Sequence, residues 1–172
     1  MVMDDMGRVL MIIAPRDFRD EELFDTKEEL ESAGNDVTIA STTTNIATGM
    51  LGGTIIPEIT IDEVIVDDYD AIVFIGGSGS SIYFHNPKAH EIAKNAYFKG
   101  KVIGAICIAP STLANAGLLR EKKATCYPSE ESNLKSKGAN YTGKPVEKDG
   151  KIITADGPNS ARSFGREIAK LL

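Results

Sequence analysis

The sequence predicts a three-layer α/β fold, in which a mainly parallel β-sheet is covered by helices on both faces. Short apolar runs, which are typical of buried parallel strands, recur along the chain and alternate with stretches of helical spacing. Repeated β-α units of this kind assemble into a parallel sheet with helices on each side. With 172 residues, 42% of them hydrophobic, the chain is expected to form one globular domain over residues 1–172.

Each strand or helix is predicted from an apolar run or from helical spacing, and most are bounded by a Gly, a Pro or a capping residue. Strands are predicted at residues 8–14, 36–40, 70–75, 102–106 and 123–126, with short β-like segments at 45–48 and 54–56. Helices are predicted at residues 20–33, 86–98, 110–117 and 129–137, and from residue 160 onward. Asp17 or Asp20 can cap the first helix, and Asn86 can cap the second. An Asp-Gly pair between segments 146–148 and 151–155 predicts a hairpin.

Composition excludes several classes of function. The net charge is −6 and Lys and Arg form no block, so nucleic acid is not an expected partner. No apolar run approaches the roughly 18 residues that span a bilayer, and we expect no membrane association. Residues 1–7 lack the layout of a signal peptide. Two cysteines make neither a disulfide framework nor a metal spacing, so we expect a cytoplasmic protein without a metal or organic cofactor.

Cys107 is the first candidate for chemistry. It follows the apolar run 102–106 and precedes Pro110, a residue that the first turn of a helix tolerates. The sequence therefore places it on a sharp strand-to-helix turn, as in a nucleophile elbow. A thiol beside a helix N-terminus should have a lowered pKa. The alternative is that Cys107 is a small buried apolar residue, as most free cysteines are.

The run Gly76-Gly-Ser-Gly79 follows another buried strand. It lacks the Lys of a phosphate loop and the spacing of a dinucleotide-binding loop. Its glycines can expose a backbone N–H to a neighbouring loop, so Gly76 is a pocket candidate. The N–H groups of Gly77 and Ile108 could form an oxyanion hole at Cys107. The alternative is a plain tight turn.

Glu22 is the candidate acid of the site. The apolar face of the first helix passes close to Glu22, whereas Glu21 points nearly the opposite way. Burial beside a thiol would raise the pKa of Glu22, so that it could donate a hydrogen bond or act as a general acid and base. The alternative is that Glu22 only interacts favourably with the helix dipole.

These motifs resemble the ThiJ/PfpI family, a group of class I glutamine amidotransferase-like folds that includes protein deglycases and archaeal PfpI-type proteins. The resemblance covers nearly the whole chain and is carried by residues 18–23, 75–77, 105–110 and 152–158. It implies a flavodoxin-like three-layer sandwich that forms a homodimer or a larger homo-oligomer. It also implies a reactive Cys107 hydrogen-bonded to a protonated Glu22, with the amides of Gly77 and Ile108 as the oxyanion hole.

The chain lacks histidines at two positions where members of this family have them. PfpI-type peptidases carry a His directly after the cysteine, where this chain has Ile108. They also supply an acid from the neighbouring subunit just after the Gly-Gly loop, where this chain has Ser78-Gly-Ser-Ser81. The deglycase branch has a His at the position of Tyr127, whose hydroxyl could line the pocket. His85 lies after the Gly-Gly loop and could approach Cys107 within one chain or across an interface.

The chemistry expected without a neighbouring histidine is carbonyl addition. Peptide hydrolysis needs an activated nucleophile and a protonated leaving amine, and this site is poor in both. Addition of the Cys107 thiolate to a small aldehyde needs no protonated leaving amine and only a less activated nucleophile. Glu22 could then move a proton between carbons. The expected function is a glyoxalase- or deglycase-like reaction on small carbonyl compounds. The alternative is a redox sensor or stress protein in which Cys107 oxidises to a sulfinate.

Overall fold

The computed structural model describes residues 6–172. The sequence predicts that residues 1–7 do not form a signal peptide. Residues 1–5 of that segment lie outside the described residues. The strands are β1 (Arg8–Ile12), β2 (Arg16–Phe18), β3 (Asp36–Ser41), β4 (Ala47–Gly49), β5 (Thr54–Ile55), β6 (Ile59–Thr60), β7 (Ala71–Phe74), β8 (Val102–Ile106), β9 (Lys123–Ala124), β10 (Asn140–Tyr141), β11 (Val146–Asp149) and β12 (Ile152–Ala155). The helices are α1 (Asp20–Ser32), α2 (Pro87–Phe98), α3 (Pro110–Asn115), α4 (Glu131–Ser136) and α5 (Ala161–Ala169).

Seven of these strands form the central sheet, in the order β11-β12-β8-β7-β1-β3-β6. Its neighbouring strands are parallel, except for β11 and β12, which form the predicted antiparallel hairpin. The predicted α/β class with a mainly parallel sheet is therefore confirmed. Because β1, β7, β8 and β12 run the same way, the loops that follow them leave from one edge of the sheet. This edge is where ligands bind in open α/β folds.

Alternate residues of each central strand enter two separate cores, because side chains of a strand point to opposite faces. On one face, Leu10, Ile72 and Ile103 pack against the apolar residues of α2 and α3. On the other face, Met11 and Val73 pack against α1 and α5. Both faces of the sheet are therefore covered by helices, as the apolar strand sequences predicted.

The capping of α1 differs from the prediction, whereas that of α2 agrees with it. The Asn86 side chain accepts a hydrogen bond from the amide of Ala89 at 2.9 Å. The cap position of α1 is Arg19, which makes no side-chain capping bond. The Asp20 carboxylate instead accepts hydrogen bonds from the amides of Leu51 (2.8 Å) and Gly53 (2.7 Å). It holds the turn after β4 to the start of α1, a tertiary contact that no local capping rule anticipates.

The segments around Cys126 and α4 are shorter than predicted. Of the predicted strand 123–126, only β9 is formed, and it pairs with β10 in a separate two-stranded sheet. The predicted helix 129–137 is divided into a 3-10 turn over Pro128–Glu130 and helix α4. Among residues 6–172, no helix is both long enough and apolar enough to cross a membrane.

Candidate active site

Cys107 lies where β8 turns into α3, as the sequence predicted. Its φ is +66°, a left-handed conformation that costs a residue other than glycine about 1–3 kcal/mol. Its amide donates to the Ala155 carbonyl at 2.9 Å, and its carbonyl accepts from the Tyr127 amide at 2.8 Å. These two bonds hold the strained turn from both sides. The side chain is buried, with 8% of the residue surface exposed.

Gly76 allows three segments to meet at this point. A Cβ atom on Gly76 would lie 2.6 Å from the Cys107 Cβ and from the Ile106 carbonyl oxygen, and would clash with a carboxyl oxygen of Glu22. The Arg19 amide donates to the Gly76 carbonyl at 2.9 Å, which joins the start of α1 to the loop after β7. The contact between the acid and the cysteine therefore depends on the absence of a side chain at this position.

Glu22 is fully buried beside Cys107, with a relative exposure of 0%. Burial raises the pKa of its carboxyl to about 8, although hydrogen bonding to the Cys107 thiol and the Gly76 amide opposes that rise. Among residues 6–172, neither carboxyl oxygen has a hydrogen bond of good geometry. At neutral pH the group therefore keeps its proton.

The thiol is not acidified in the way the sequence suggested. Burial and the Glu22 carboxylate raise the pKa of Cys107 to about 12, whereas the N–H groups of Gly77 and Ile108 lower it. The expected lowering by a helix N-terminus is wrong, because α3 is only six residues long and the desolvation of the sulfur outweighs it. Two buried acids this close cannot both be ionised. The pair therefore holds at most one negative charge near neutral pH.

The amides of Gly77 and Ile108 both face the sulfur, where they favour negative charge. Gly77 has a φ of +100°, and a Cβ atom there would lie 2.6 Å from the Phe18 carbonyl carbon. The left-handed turn and this close approach explain why glycine is needed. The geometry brings together four predicted residues: Cys107, Glu22, Gly77 and Ile108.

A cleft of about 510 Å³ opens onto these residues. Tyr127 lines it, as expected, and 47% of the tyrosine is exposed. His85 does not line it: this exposed residue and His90 border a separate pocket beside α2. The His90 ring nitrogen Nε2 is hydrogen-bonded to the Phe84 carbonyl at 2.8 Å. Since the chain has only these two histidines, no imidazole of the same chain lines the cleft.

Sequence reasoning missed other residues of the cleft, including Arg19, Met50 and Glu130. The Arg19 guanidinium is bound by both carboxylate oxygens of Glu21, at 2.9 and 3.0 Å. Arg19 lies within the motif of residues 18–23 but was given no role there, and Met50 and Glu130 lie in no motif. Only the fold shows that these residues line the cleft. Among residues 6–172, no group of three His, Cys, Asp or Glu side chains is placed to hold a metal ion.

The fold and the site define an α/β protein with a cysteine on a strand-to-helix turn and a buried acid beside it. The chain belongs to the DJ-1/PfpI family, whose model matches residues 7–171. The resemblance inferred from the sequence motifs is thereby confirmed.

Relatives and solved structures agree with this assignment. An uncharacterized protein of Methanocaldococcus jannaschii is 49% identical, covering 96% of this chain and 82% of the relative. Deglycase PfpI of Pyrococcus furiosus is 31% identical, covering 95% and 98%. A glutathione-independent glyoxalase of Caenorhabditis elegans is 28% identical, covering 95% and 87%. The crystal structure of a ThiJ/PfpI domain protein from Brachyspira murdochii superposes with a TM-score of 0.94 at 31% identity, covering 96% of both chains. The flavodoxin-like fold expected from the resemblance is shared with these proteins.

Proposed function

We propose that this protein is a cysteine-dependent enzyme that acts on small carbonyl compounds, in a glyoxalase- or deglycase-like reaction. The observation that carries the proposal is Glu22, a buried acid beside the Cys107 thiol that keeps its proton to about pH 8 and whose oxygens make no hydrogen bond of good geometry. An acid in this state can give a proton to a carbonyl oxygen and later accept one from carbon. The names of the Pyrococcus and Caenorhabditis relatives support the same chemistry.

The reaction on methylglyoxal would proceed in three steps. The Cys107 sulfur bonds to the aldehyde carbon as its thiol proton leaves to solvent, and Glu22 gives its proton to the aldehyde oxygen, which faces the amides of Gly77 and Ile108 and becomes the hydroxyl of a hemithioacetal. The Glu22 carboxylate formed in this step removes the proton from that carbon and returns it to the neighbouring carbonyl carbon. The hydroxyl proton of the hemithioacetal passes to the oxygen of that carbonyl, which gives a thioester, and Glu22 regains its own proton from solvent. The resulting thioester is hydrolysed by water to lactate, and the thiol is restored. The net change is the addition of one water, so no external oxidant or reductant is consumed.

Turnover of methylglyoxal tests this function. We expect lactate formation by the purified protein, loss of it to background in Cys107→Ser, and a decrease of at least about 100-fold in Glu22→Gln, which retains the size but not the proton transfer. Glu21→Gln and Cys126→Ala are the matched controls, because neither residue lines the cleft. Absence of lactate from folded wild-type protein, or equal turnover in the Cys107→Ser variant, would contradict the proposal.

A redox role is the second candidate. The Gly77 and Ile108 amides that favour negative charge at the sulfur would also stabilise a sulfinate, to which protonated Glu22 could donate. Mass spectrometry after peroxide treatment would then show two oxygens added at Cys107 and none at Cys126. If the protein has no turnover but shows this oxidation, the sensor function is favoured. A peptidase function has less support, because Ile108 stands where a histidine would be needed.

We further propose that the protein acts as a homodimer or larger homo-oligomer in the cytoplasm. Exposed apolar side chains in segment 46–51 support a subunit contact near the cleft; Ile46 is 63% and Leu51 64% exposed. Sedimentation velocity should give a mass of at least two chains. A monomer at micromolar concentration would overturn the assembly but not the carbonyl chemistry.

A further inference from the structure

Glu130 is a carboxylate on the wall of the cleft that the proposed carbonyl chemistry does not use. It ends the 3-10 turn that follows Tyr127, and its amide donates to the Tyr127 carbonyl at 2.9 Å. Because the Tyr127 amide is itself bonded to the Cys107 carbonyl, at 2.8 Å, this turn is tied directly to the cysteine. The position of Glu130 relative to Cys107 is therefore fixed by the backbone.

Both carboxylate oxygens of Glu130 accept hydrogen bonds from hydroxyl groups. The Ser111 Oγ donates to one oxygen at 2.6 Å, and the Ser129 Oγ donates to the other at 2.9 Å. The side-chain Nδ2 of Asn133 donates to the Ser111 Oγ at 3.0 Å, which leaves the buried Ser111 hydroxyl proton free to point at Glu130. The two hydroxyl donors therefore hold the Glu130 carboxylate in one orientation.

No cation balances this charge within the described chain. Glu130 forms no ion pair with a Lys, Arg or His of residues 6–172, whereas its neighbour Glu131 is paired with Lys135 at 2.6 Å. Arg19 is the one basic side chain among the cleft residues that the structure describes, and Glu21 already binds it through two hydrogen bonds. The cleft wall therefore carries an uncompensated negative charge.

Two further features indicate a ligand that bears a cation. The exposed residue Tyr127 lines the same cleft as Glu130, and an aromatic ring together with a carboxylate suits an ammonium or guanidinium group. The buried oxygens of Glu22 adjoin the same cleft and make no hydrogen bond of good geometry, so a polar ligand group would suit that end of the cleft. A molecule with a carbonyl at one end and a cationic nitrogen group at the other meets both requirements.

We propose that Glu130 and Tyr127 bind a cationic nitrogen group, so that the cleft selects carbonyl compounds that carry an ammonium or guanidinium group beyond the carbon attacked by Cys107. The assignment of the substrate class rests on the proposed function. Recognition of the cation does not, since it depends only on the charge and geometry around Glu130. The two can therefore be tested separately.

Charged thiol reagents measure this recognition without any turnover. The Cys107 thiolate forms a disulfide with the sulfur of a methanethiosulfonate, and methanesulfinate leaves. In a Cys126→Ala background, modification rates are measured with the trimethylammonioethyl and sulfonatoethyl reagents and divided by their rates with free cysteine. We expect the cationic reagent to be favoured about five- to tenfold in the wild type, and this preference to disappear largely in Glu130→Gln. Glu131→Gln, which removes the same charge one residue away, is the matched control.

The outcomes separate the proposal from a general effect of net charge. A preference that Glu130→Gln removes and Glu131→Gln retains supports it, and an equal loss in both variants overturns it. No cationic preference in the wild type, or a preference for the anionic reagent, also overturns it. A second variant, Tyr127→Leu, changes an exposed position and leaves the Glu130 charge in place. It should lower the preference for the cationic reagent about two- to threefold. Lactate formation from uncharged methylglyoxal reports only on the proposed function.

Discussion

At the residue scale, the absence of a side chain at Gly76 allows the Glu22 carboxyl to lie beside Cys107. Its missing side chain leaves room for the Glu22 carboxyl and for the Cys107 Cβ in the same small volume. Its φ is outside the left-handed region, so the requirement for glycine comes from space and not from backbone conformation. A methyl group there would displace the Glu22 carboxyl, and it would still lie 2.6 Å from the Ile106 carbonyl oxygen, which belongs to the backbone.

Gly76→Ala should therefore damage the site more than the fold. We expect a loss of about 1–3 kcal/mol in the free energy of unfolding from overpacking, and turnover near background because Glu22 is displaced. Gly157→Ala is the matched control: its extended backbone accepts any residue, and a Cβ atom there would be 3.8 Å from the Tyr127 ring. Urea denaturation and lactate assays of both variants check this. Full activity in Gly76→Ala would show that the acid and the cysteine need not be so close.

At the element scale, the first turn of α1 uses its three acidic residues for three different contacts. Asp20 binds the amides of the turn after β4, Glu21 binds Arg19, and Glu22 is buried at Cys107. Helical spacing was enough to separate Glu22 from Glu21, because the two side chains lie about 100° apart. It could not show the role of Asp20, since the partner turn is distant in sequence.

The contact between α1 and α5 fixes the orientation of α1, and it depends on Gly165. A Cβ atom on Gly165 would lie 2.9 Å from the Glu29 Cβ and 3.1 Å from the Thr26 carbonyl oxygen. The Thr26 hydroxyl also donates to the Ala161 carbonyl at 3.3 Å. The two helices therefore approach closely at this point, and any side chain would separate them.

Gly165→Ala should destabilise the protein in spite of the better helix propensity of alanine. The higher helix propensity of alanine would raise the free energy of unfolding by about 1 kcal/mol. We expect the cost of overpacking against backbone atoms to exceed this gain, so that the free energy of unfolding falls by about 1–2 kcal/mol in total. Ser163→Ala, at an exposed position of the same helix, is the control and should be neutral or slightly stabilising. Thermal unfolding of both variants measures the difference. A higher melting temperature for Gly165→Ala would show that α1 and α5 can move apart freely.

At the scale of the whole molecule, the order of strands in the sheet assembles the site. β7 and β8 are neighbours, and β1 lies beside β7, so the loops after these three strands share one edge. Residues far apart in sequence, such as Glu22, Gly76 and Cys107, then lie around one cleft. The buried position of Glu22 also makes the stability of the whole domain depend on pH.

The stability of the fold should fall as pH rises from about 4.5 to 8. Glu22 has a folded-state pKa of about 8 against 4.5 for an ordinary glutamate, so in this range the native state keeps a proton that the unfolded state has lost. Each rise in pH therefore favours unfolding, by at most about 1.4 kcal/mol per pH unit from this group. Glu22→Gln removes the titrating group, so the difference in free energy of unfolding between wild type and variant should change over this range. Parallel curves from urea denaturation would contradict the raised pKa.

The sequence by itself determined the fold class, the order of the main elements and the central pair Cys107 and Glu22. Apolar runs, helical spacing and end signals are local, and they place a cysteine on a turn and an acid on an inward face. Only the tertiary structure decided the ionisation of the thiol, the use of Asp20, and the presence of Glu130 and Arg19 in the cleft. Desolvation and contacts between distant loops depend on how the whole chain packs, so no local pattern encodes them.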